Sequence, residues 1–327
     1  ASIILTPTAY NNGEALCVKP SDGSGDFDFS RNSAATRVNA QGLVENVQIL
    51  SSNLVQNGSF SEEGVQEVSN GSFSQEGVQL ITNGDFSSDT NWVKQAGWSI
   101  SGGTANCDGS QNLPESVYQN GVTVVGKTYK ITYTLVSITS GTVRALAGTL
   151  GGAFQSTIGT HTEYLTATSN TVIQIQASSS FIGSIDNVSV REVGQDWVIF
   201  GTGWSFGEDK IVSVNGSNYG VHQSAIVSGK TYKITYEVKD YVSGSFSIRA
   251  NTASGSVTAS ANGTYTDYIT SNGTLLRLMG NGTFNGSVTN ISVKEVGQNW
   301  DFGTGWSIGD NIANAVDAAF NSQIVYS

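Results

Sequence analysis

"GKTYKITY" at residues 126–133 returns letter for letter at 229–236, and those two stretches decide the fold. In the first, Tyr129, Ile131, Tyr133 and Leu135 alternate with Lys130, Thr132 and Thr134. In the second, Tyr232, Ile234, Tyr236 and Val238 alternate with Lys233, Thr235 and Glu237. A period of two puts each apolar set on one face of a strand, so the four tyrosines belong to a buried face. The surroundings repeat too. "GTHTEYLT" at 159–166 returns as "GTYTDYIT" at 263–270, and "NVSVREVGQDW" at 187–197 as "NISVKEVGQNW" at 290–300. Offsets of 103 or 104 residues mark whole duplicated domains rather than solenoid rungs. "GTGWSFGEDK" at 201–210 recurs as "GTGWSIGDN" at 303–311 and opens a third unit. Residues 297–327 are too few to close a core of their own, so the natural chain is expected to continue beyond Ser327.

Composition agrees. Of 327 residues, 13% are charged and 38% hydrophobic, with 39 Gly and 3 Pro. Gly, Ser, Thr, Asn and Val dominate, a mixture that starves helices and suits short strands joined by tight turns. The expected fold is all-β: tandem antiparallel β-sandwich (jelly-roll-like) domains following an extended N-terminal arm. Asn262, Asn272, Asn281 and Asn285 each precede Gly and are read as hairpin turns. "DNIANAVDAAF" at 310–320 has helical composition, but it aligns with "EDKIVSVNGSNY" at 208–219 and is read as strand.

The net charge of −11, with a pI near 4.5, repels phosphate backbones and argues against a nucleic-acid partner. No apolar run reaches 18 residues, so no membrane insertion by a helix is expected. The opening "ASIILTPTAY" lacks the basic flank and long apolar stretch of a secretory leader. Either a leader was removed or the protein leaves its cell by another route, such as lysis. Cys17 and Cys107 have neither metal spacing nor a disulfide framework and are read as small apolar residues.

Ahead of the long repeat stands a short one: "LVQNGSFSEEGVQ", "EVSNGSFSQEGVQ" and "LITNGDFSSDTNW" at 54–66, 67–79 and 80–92. Asn57, Asn70 and Asn83 fall in step, as do Phe60, Phe73 and Phe86. The third copy runs into Trp92 and Trp98 and is read as the first strand of a sandwich. The two earlier copies admit two readings: stacked rungs of a short shaft, with Phe60 and Phe73 inward, or a linker. A single rung buries too little to stand alone, which favours a trimeric shaft for the first reading.

"LITNGDFSSDTNWVKQAGWSISGG" followed by "GSIDNVSVREV" resembles the jelly-roll superfamily of carbohydrate-binding modules. The likeness covers residues 80–193 directly and 194–296 through the duplication. "DFDFSRNSAATRVNAQGLVENV" at 26–47 resembles a segment of tail and fibre proteins of tailed bacteriophages. Together they imply a bacteriophage virion protein, at the surface of the particle, in five parts. Residues 1–50 would be an arm docked on other virion proteins of tail or capsid. Residues 51–79 would be shaft or linker, 80–193 and 194–296 two sandwich modules, and 297–327 the start of a third. The implied role is adhesion to host cell-surface glycan, with a homotrimer by analogy to fibres. Head fibre or capsid decoration, an inert spacer, and a glycan-degrading tailspike stand as alternatives.

Sugar platforms need exposed aromatic faces with polar groups beside them. The candidates are Trp98, Tyr118 and Tyr164 in the first module, and Trp204, Tyr219 and Tyr268 in the second. Trp92, Trp197 and Trp300, like Trp98, Trp204 and Trp306, recur at matching places, which also suits core packing. The superfamily likeness implies a structural calcium near the first and last strands, where Asp85 and Asp186 stand; Thr289 replaces the latter in the second module. No other cofactor is implied. His161 becomes Tyr265 in the duplicate, no nucleophile or phosphate-loop motif is present, and no carboxylate pair recurs, so no catalytic residue is assigned. Asn187, Asn215 and Asn290 head Asn-x-Ser/Thr triplets and are read as turn residues.

Overall fold

The alternation read in the two "GKTYKITY" stretches is realised as two long central strands, Thr128–Ser140 and Thr231–Ala250. Tyr129, Tyr133, Tyr232 and Tyr236 are all fully buried along them. The computed structural model describes residues 9–11, 14–16, 35–38, 41–47, 54–169, 171–216 and 219–327. No helix occurs among them, and none is long and apolar enough to cross a membrane. The chain divides into Ala1–Gln56 and Asn57–Ser327. In the first unit the backbone pairs Ala9–Asn11 with Glu14–Leu16 and Ala35–Val38 with Val44–Val47. The rest of the expected arm, with Cys17, lies outside the described residues.

The second unit holds tandem antiparallel β-sandwiches with two separate cores. In the first sandwich one sheet runs Gly159–Thr166, Thr128–Ser140, Ile182–Val193, Thr104–Asp108, Trp98–Ser101. The facing sheet runs Leu150–Gly151, Val143–Ala147, Ile173–Ala177, Glu115–Gln119, Val93–Lys94. In the second sandwich Thr231–Ala250 and Leu275–Val296 each pass unbroken from one sheet to the other. The corresponding crossing in the first sandwich is broken at Gly141, whose left-handed φ of 75° matches that of Gly244 at 78°. The third unit shows its opening pairs only: Trp300–Phe302 with Ile324–Tyr326, and Trp306–Gly309 with Ile312–Ala315. Residues 310–320 therefore contain strand and no helix, as the repeat alignment required.

Two expectations are corrected. Asn281 and Asn285 lie inside the strand Leu275–Val296, and neither they nor Asn262 and Asn272 have a left-handed φ. Positive φ falls instead on Asp209, Asn215, Asp240, Asn251 and Asn290, with Asn187 in the first module. Asn and Asp tolerate that region better than other side chains, and the three Asn-x-Ser/Thr asparagines all adopt it: Asn187 bonds the neighbouring Asp186, whereas Asn215 and Asn290 bond Asn285 and Glu237 across the sheet.

The larger correction concerns residues 51–79. From Asn57 on they neither stack as rungs nor hang as a linker; they are parts of the sandwiches. Glu76–Gln79 pairs with Ile182–Val193 at the end of the first module, and Glu63–Gln66 pairs with Leu275–Val296 at the end of the second. The three Asn-Gly-x-Phe turns are distributed one to a unit. The Phe86 ring lies 5.1 Å from Trp92, Phe73 lies 5.2 Å from Trp197, and Phe60 lies 5.2 Å from Trp300. Each indole N–H reaches a backbone carbonyl of its own turn: Trp92 to Asn83 at 2.8 Å, Trp197 to Asn70 at 3.0 Å, Trp300 to Asn57 at 3.1 Å. The copies are thus used in reverse order. The segment runs back from the third unit to the first, and the chain then turns and builds the modules forward. Thirteen extended residues span at most about 43–47 Å, which bounds the step from one joint to the next.

The turn itself explains why the phrase is copied so closely. Asn and Phe both take left-handed φ in all three copies, and the Phe N–H bonds the Asn carbonyl. For a bulky residue that region costs about 1–3 kcal/mol, offset by burying the ring against tryptophan. Glycine between them is required by contact. A Cβ on Gly71 or Gly84 would stand 2.1 Å from the carbonyl oxygen of Ile291 or Val188. Gln66 and Gln79 extend the pairing with their side-chain amides, accepting from Val293 N at 2.9 Å and Val190 N at 2.8 Å.

Candidate functional site

The structure sorts the six aromatic candidates into three places. Trp98 and Trp204 are 7% exposed and present no face to solvent. Trp98 donates to Glu115 O at 3.1 Å, and Trp204 stacks on Phe284 at 6.0 Å. As sugar platforms they are withdrawn: period-two placement puts them on the inner face, where an indole fills the sandwich end. Tyr164 and Tyr268 sit at equivalent joints between units. Tyr164 packs against the second core, and the Tyr268 hydroxyl donates to Asp310 Oδ1 at 3.3 Å. That leaves Tyr118, on the outward side of the strand Glu115–Gln119, and Tyr219, which lies just ahead of the strand Val221–Ser224.

They are not counterparts, however. Tyr118 faces Val93 and Gln174, whereas the residue facing Val198 and Arg277 in the second module is His222. Tyr219 stands three residues earlier, 47% exposed, beside Phe200, which is 73% exposed. The two rings meet edge to face at 6.4 Å, and Phe200 lies 6.2 Å from the His222 ring. With Leu275, Arg277 and Met279 they frame a cavity of about 140 Å³. That is below the about 300–1,000 Å³ that encloses a whole small ligand, so the cavity seats one ring or a short apolar group against an aromatic wall. Burial, and then the neighbouring Arg277 guanidinium, hold the His222 imidazole below its ordinary value. His161 is elsewhere, bonded to Thr157 O at 2.7 Å.

Reasoning from sequence missed Phe200, His222 and Arg277. The available signal was the strand alternation "VHQS" at 221–224, which sends Val221 and Gln223 inward and His222 out. The expected calcium ligands are engaged locally. Asp85 accepts from Ser87 N and Oγ at 3.3 and 3.1 Å, and Asp186 accepts from Asn187 N at 2.6 Å. Among the described residues no three His, Cys, Asp or Glu side chains gather as a metal site. Cys107 is a buried free thiol, its pKa pushed up by burial.

No protein-family model matches the chain, and no curated protein matches it. Among solved structures, the chain is similar to the N-terminal CBM22-1-CBM22-2 tandem domain of Paenibacillus barcinonensis Xyn10C. Identity is 12% and the TM-score 0.28, over 68% of this chain and 98% of that one. It is also similar to a Paenibacillus xanthan lyase, at 16% identity and a TM-score of 0.22, over 64% of this chain and 25% of that one.

Proposed function

We propose that the chain is a non-enzymatic glycan-binding protein of a bacteriophage surface, its tandem sandwiches displayed as a tail or head fibre displays them. The observation that carries the binding reading is the Phe200–Tyr219 pair, two exposed rings beside a cavity that His222 and Arg277 also line. A pyranose ring offers one apolar face and a rim of hydroxyls, and an aromatic wall next to polar groups complements both. The phage reading rests on residues 26–47 and their resemblance to tail and fibre proteins. The homotrimer rests on the same analogy. The first module, whose outer face lacks an equivalent exposed pair, acts in this reading as a spacer. Weak single sites gain by multiplicity, since linked copies raise avidity by about 10²–10⁴.

The test is retention of the protein in gels cast with a panel of bacterial surface polysaccharides. Wild type is expected to be retarded on at least one, and Phe200→Ala with Tyr219→Ala to run as on blank gels. Wild type running unretarded on every member sinks the binding reading. Release of oligosaccharides over time reveals an enzyme instead, and light scattering that gives a monomer mass overturns the trimer.

A further inference from the structure

All eight lysines of residues 57–327 lie within 4.0 Å of a carboxylate, and Arg191 stands 3.7 Å from Glu76. Arg144, in the first module, donates to Gln176 Oε1 at 3.1 and 2.9 Å and covers the Phe154 ring at 4.3 Å. Arg249 and Arg277 are the exceptions. They face each other directly across the strand pair Thr231–Ala250 and Leu275–Val296, hence on one face of the sheet. Neither guanidinium forms an ion pair or a hydrogen bond among the described residues. The Nε of each is buried without a partner. The next residue along the row is His222, opposite Arg277, and the Arg277 guanidinium lies 6.0 Å from the centre of the Tyr219 ring.

Two cations placed directly opposite repel, and a buried N–H without an acceptor costs about 1–3 kcal/mol. In a chain of net charge −11 carboxylates are abundant, yet none has been set against this pair. Glu67 and Asp196 line a separate depression on the other side of His222, with Val198 and Ser224.

We propose that the outer face of the second module selects an acidic saccharide, the sugar ring lying against Phe200 and Tyr219 and its carboxylate received by Arg277 and Arg249. The assignment rests on the glycan reading above and names the class of glycan. A carboxylate matches the geometry because guanidinium offers parallel N–H donors to a planar two-oxygen acceptor. The first module supplies a built-in contrast. Its corresponding row is Tyr118, Gln174 and Leu146, with no cation.

The experiment compares the full chain on three gels: a uronic-acid polysaccharide, the same polymer with its carboxyls reduced to alcohols, and dextran sulfate. Expected is strong retardation on the uronate polymer and at least tenfold weaker binding to its reduced form. Arg277→Gln and Arg249→Gln should each weaken the uronate binding at least tenfold, with the melting transition of the second module unchanged. Equal binding to native and reduced polymer overturns the acidic selection while leaving glycan binding standing. Binding to dextran sulfate alone overturns the carboxylate assignment. Absence of binding to all three, with retention on a neutral polysaccharide of the wider panel, overturns this inference and not the reading beneath it.

Discussion

The first and second modules share their strands, their buried tyrosines and their tryptophan-capped ends, but they differ in where one essential piece comes from and in what they show to solvent. The first takes its Asn-Gly-Asp-Phe turn from residues 83–86, immediately ahead of its own strands. The second has no such turn in its own stretch of chain. Its core is completed by Val68 and Phe73, contributed from ahead of the first module. Outside, Tyr118 and Gln174 in one become His222 and Arg277 in the other. The lesson is that the duplicated part was held by packing, which tolerates little change in volume. The outer row, free of that constraint, could diverge in charge.

Breaking the borrowed piece gives the largest expected effect. Phe73→Ala should cost the second module about 3–5 kcal/mol, the ordinary loss for a buried phenylalanine. Hydrogen exchange reads this module by module. Protection should fall along Thr231–Ala250 and stay as it was along Thr128–Ser140. Phe86→Ala should do the opposite. Equal loss in both modules on either substitution means that they are one cooperative core, and the pairing of each turn with its own unit is then wrong.

How much of this could be read from residues alone follows from the range of the interactions involved. Strand alternation is local, so the buried faces of 128–135 and 231–238 were legible, and so was the 103-residue duplication. The count of three turns against Trp92, Trp197 and Trp300 was also in plain view. Their assignment was not, because Phe73 meets Trp197 and Phe60 meets Trp300 across long separations with no local signature. The tryptophan candidates failed for a related reason. An aromatic at a module end suits a sugar platform and a core plug equally, and only the facing sheet decides. The Asn-Gly turns failed because Leu275–Val296 runs straight through two of them. The site itself needed register. His222, Arg277 and Arg249 come from three strands and become neighbours only once those strands are paired.

A smaller effect sharpens the comparison at the backbone. Gly71 and Gly84 are equivalent, each passing under a carbonyl of the closing strand of its module, from which Ile291 N and Val188 N donate back at 2.9 and 2.8 Å. Gly71→Ala should destabilise the second module and Gly84→Ala the first, each by about 1–3 kcal/mol, the usual range for forcing an extra methyl into a packed site. Denaturant melts followed by exchange of the Ile291 and Val188 amides distinguish the two. A Gly71→Ala protein whose Ile291 amide keeps its protection shows that the turn is not seated there.

The smallest effect lies at the joints, where equivalent glutamates hold the returning segment. Glu63 accepts from Lys233 at 2.6 Å and Lys294 at 2.9 Å, and Glu76 accepts from Lys130 at 2.8 Å. Lys233 first, then Lys294, keep the Glu63 carboxyl below its ordinary 4.5. A depressed carboxyl contributes its stability in full above the unfolded value and loses it as the pH falls through the folded one. Both partners are partly exposed, so the contribution is about 0–1 kcal/mol. At pH 6, Glu63→Gln should lower protection of the Glu67 amide, which donates to Val293 O at 2.9 Å. The drop should be no more than about fivefold, given the small size of an exposed ion pair. The Leu80 amide, bonded to Val190 O at 3.0 Å, serves as the unchanged reference at the other joint. On acidification below the folded value, wild type should converge on the variant as its own carboxyl loses charge. If the two proteins protect Glu67 equally at pH 6, the ion pair does not fasten the segment. The pairing of Glu63–Gln66 with the second module would then rest on the Gln66 amide and the backbone ladder alone.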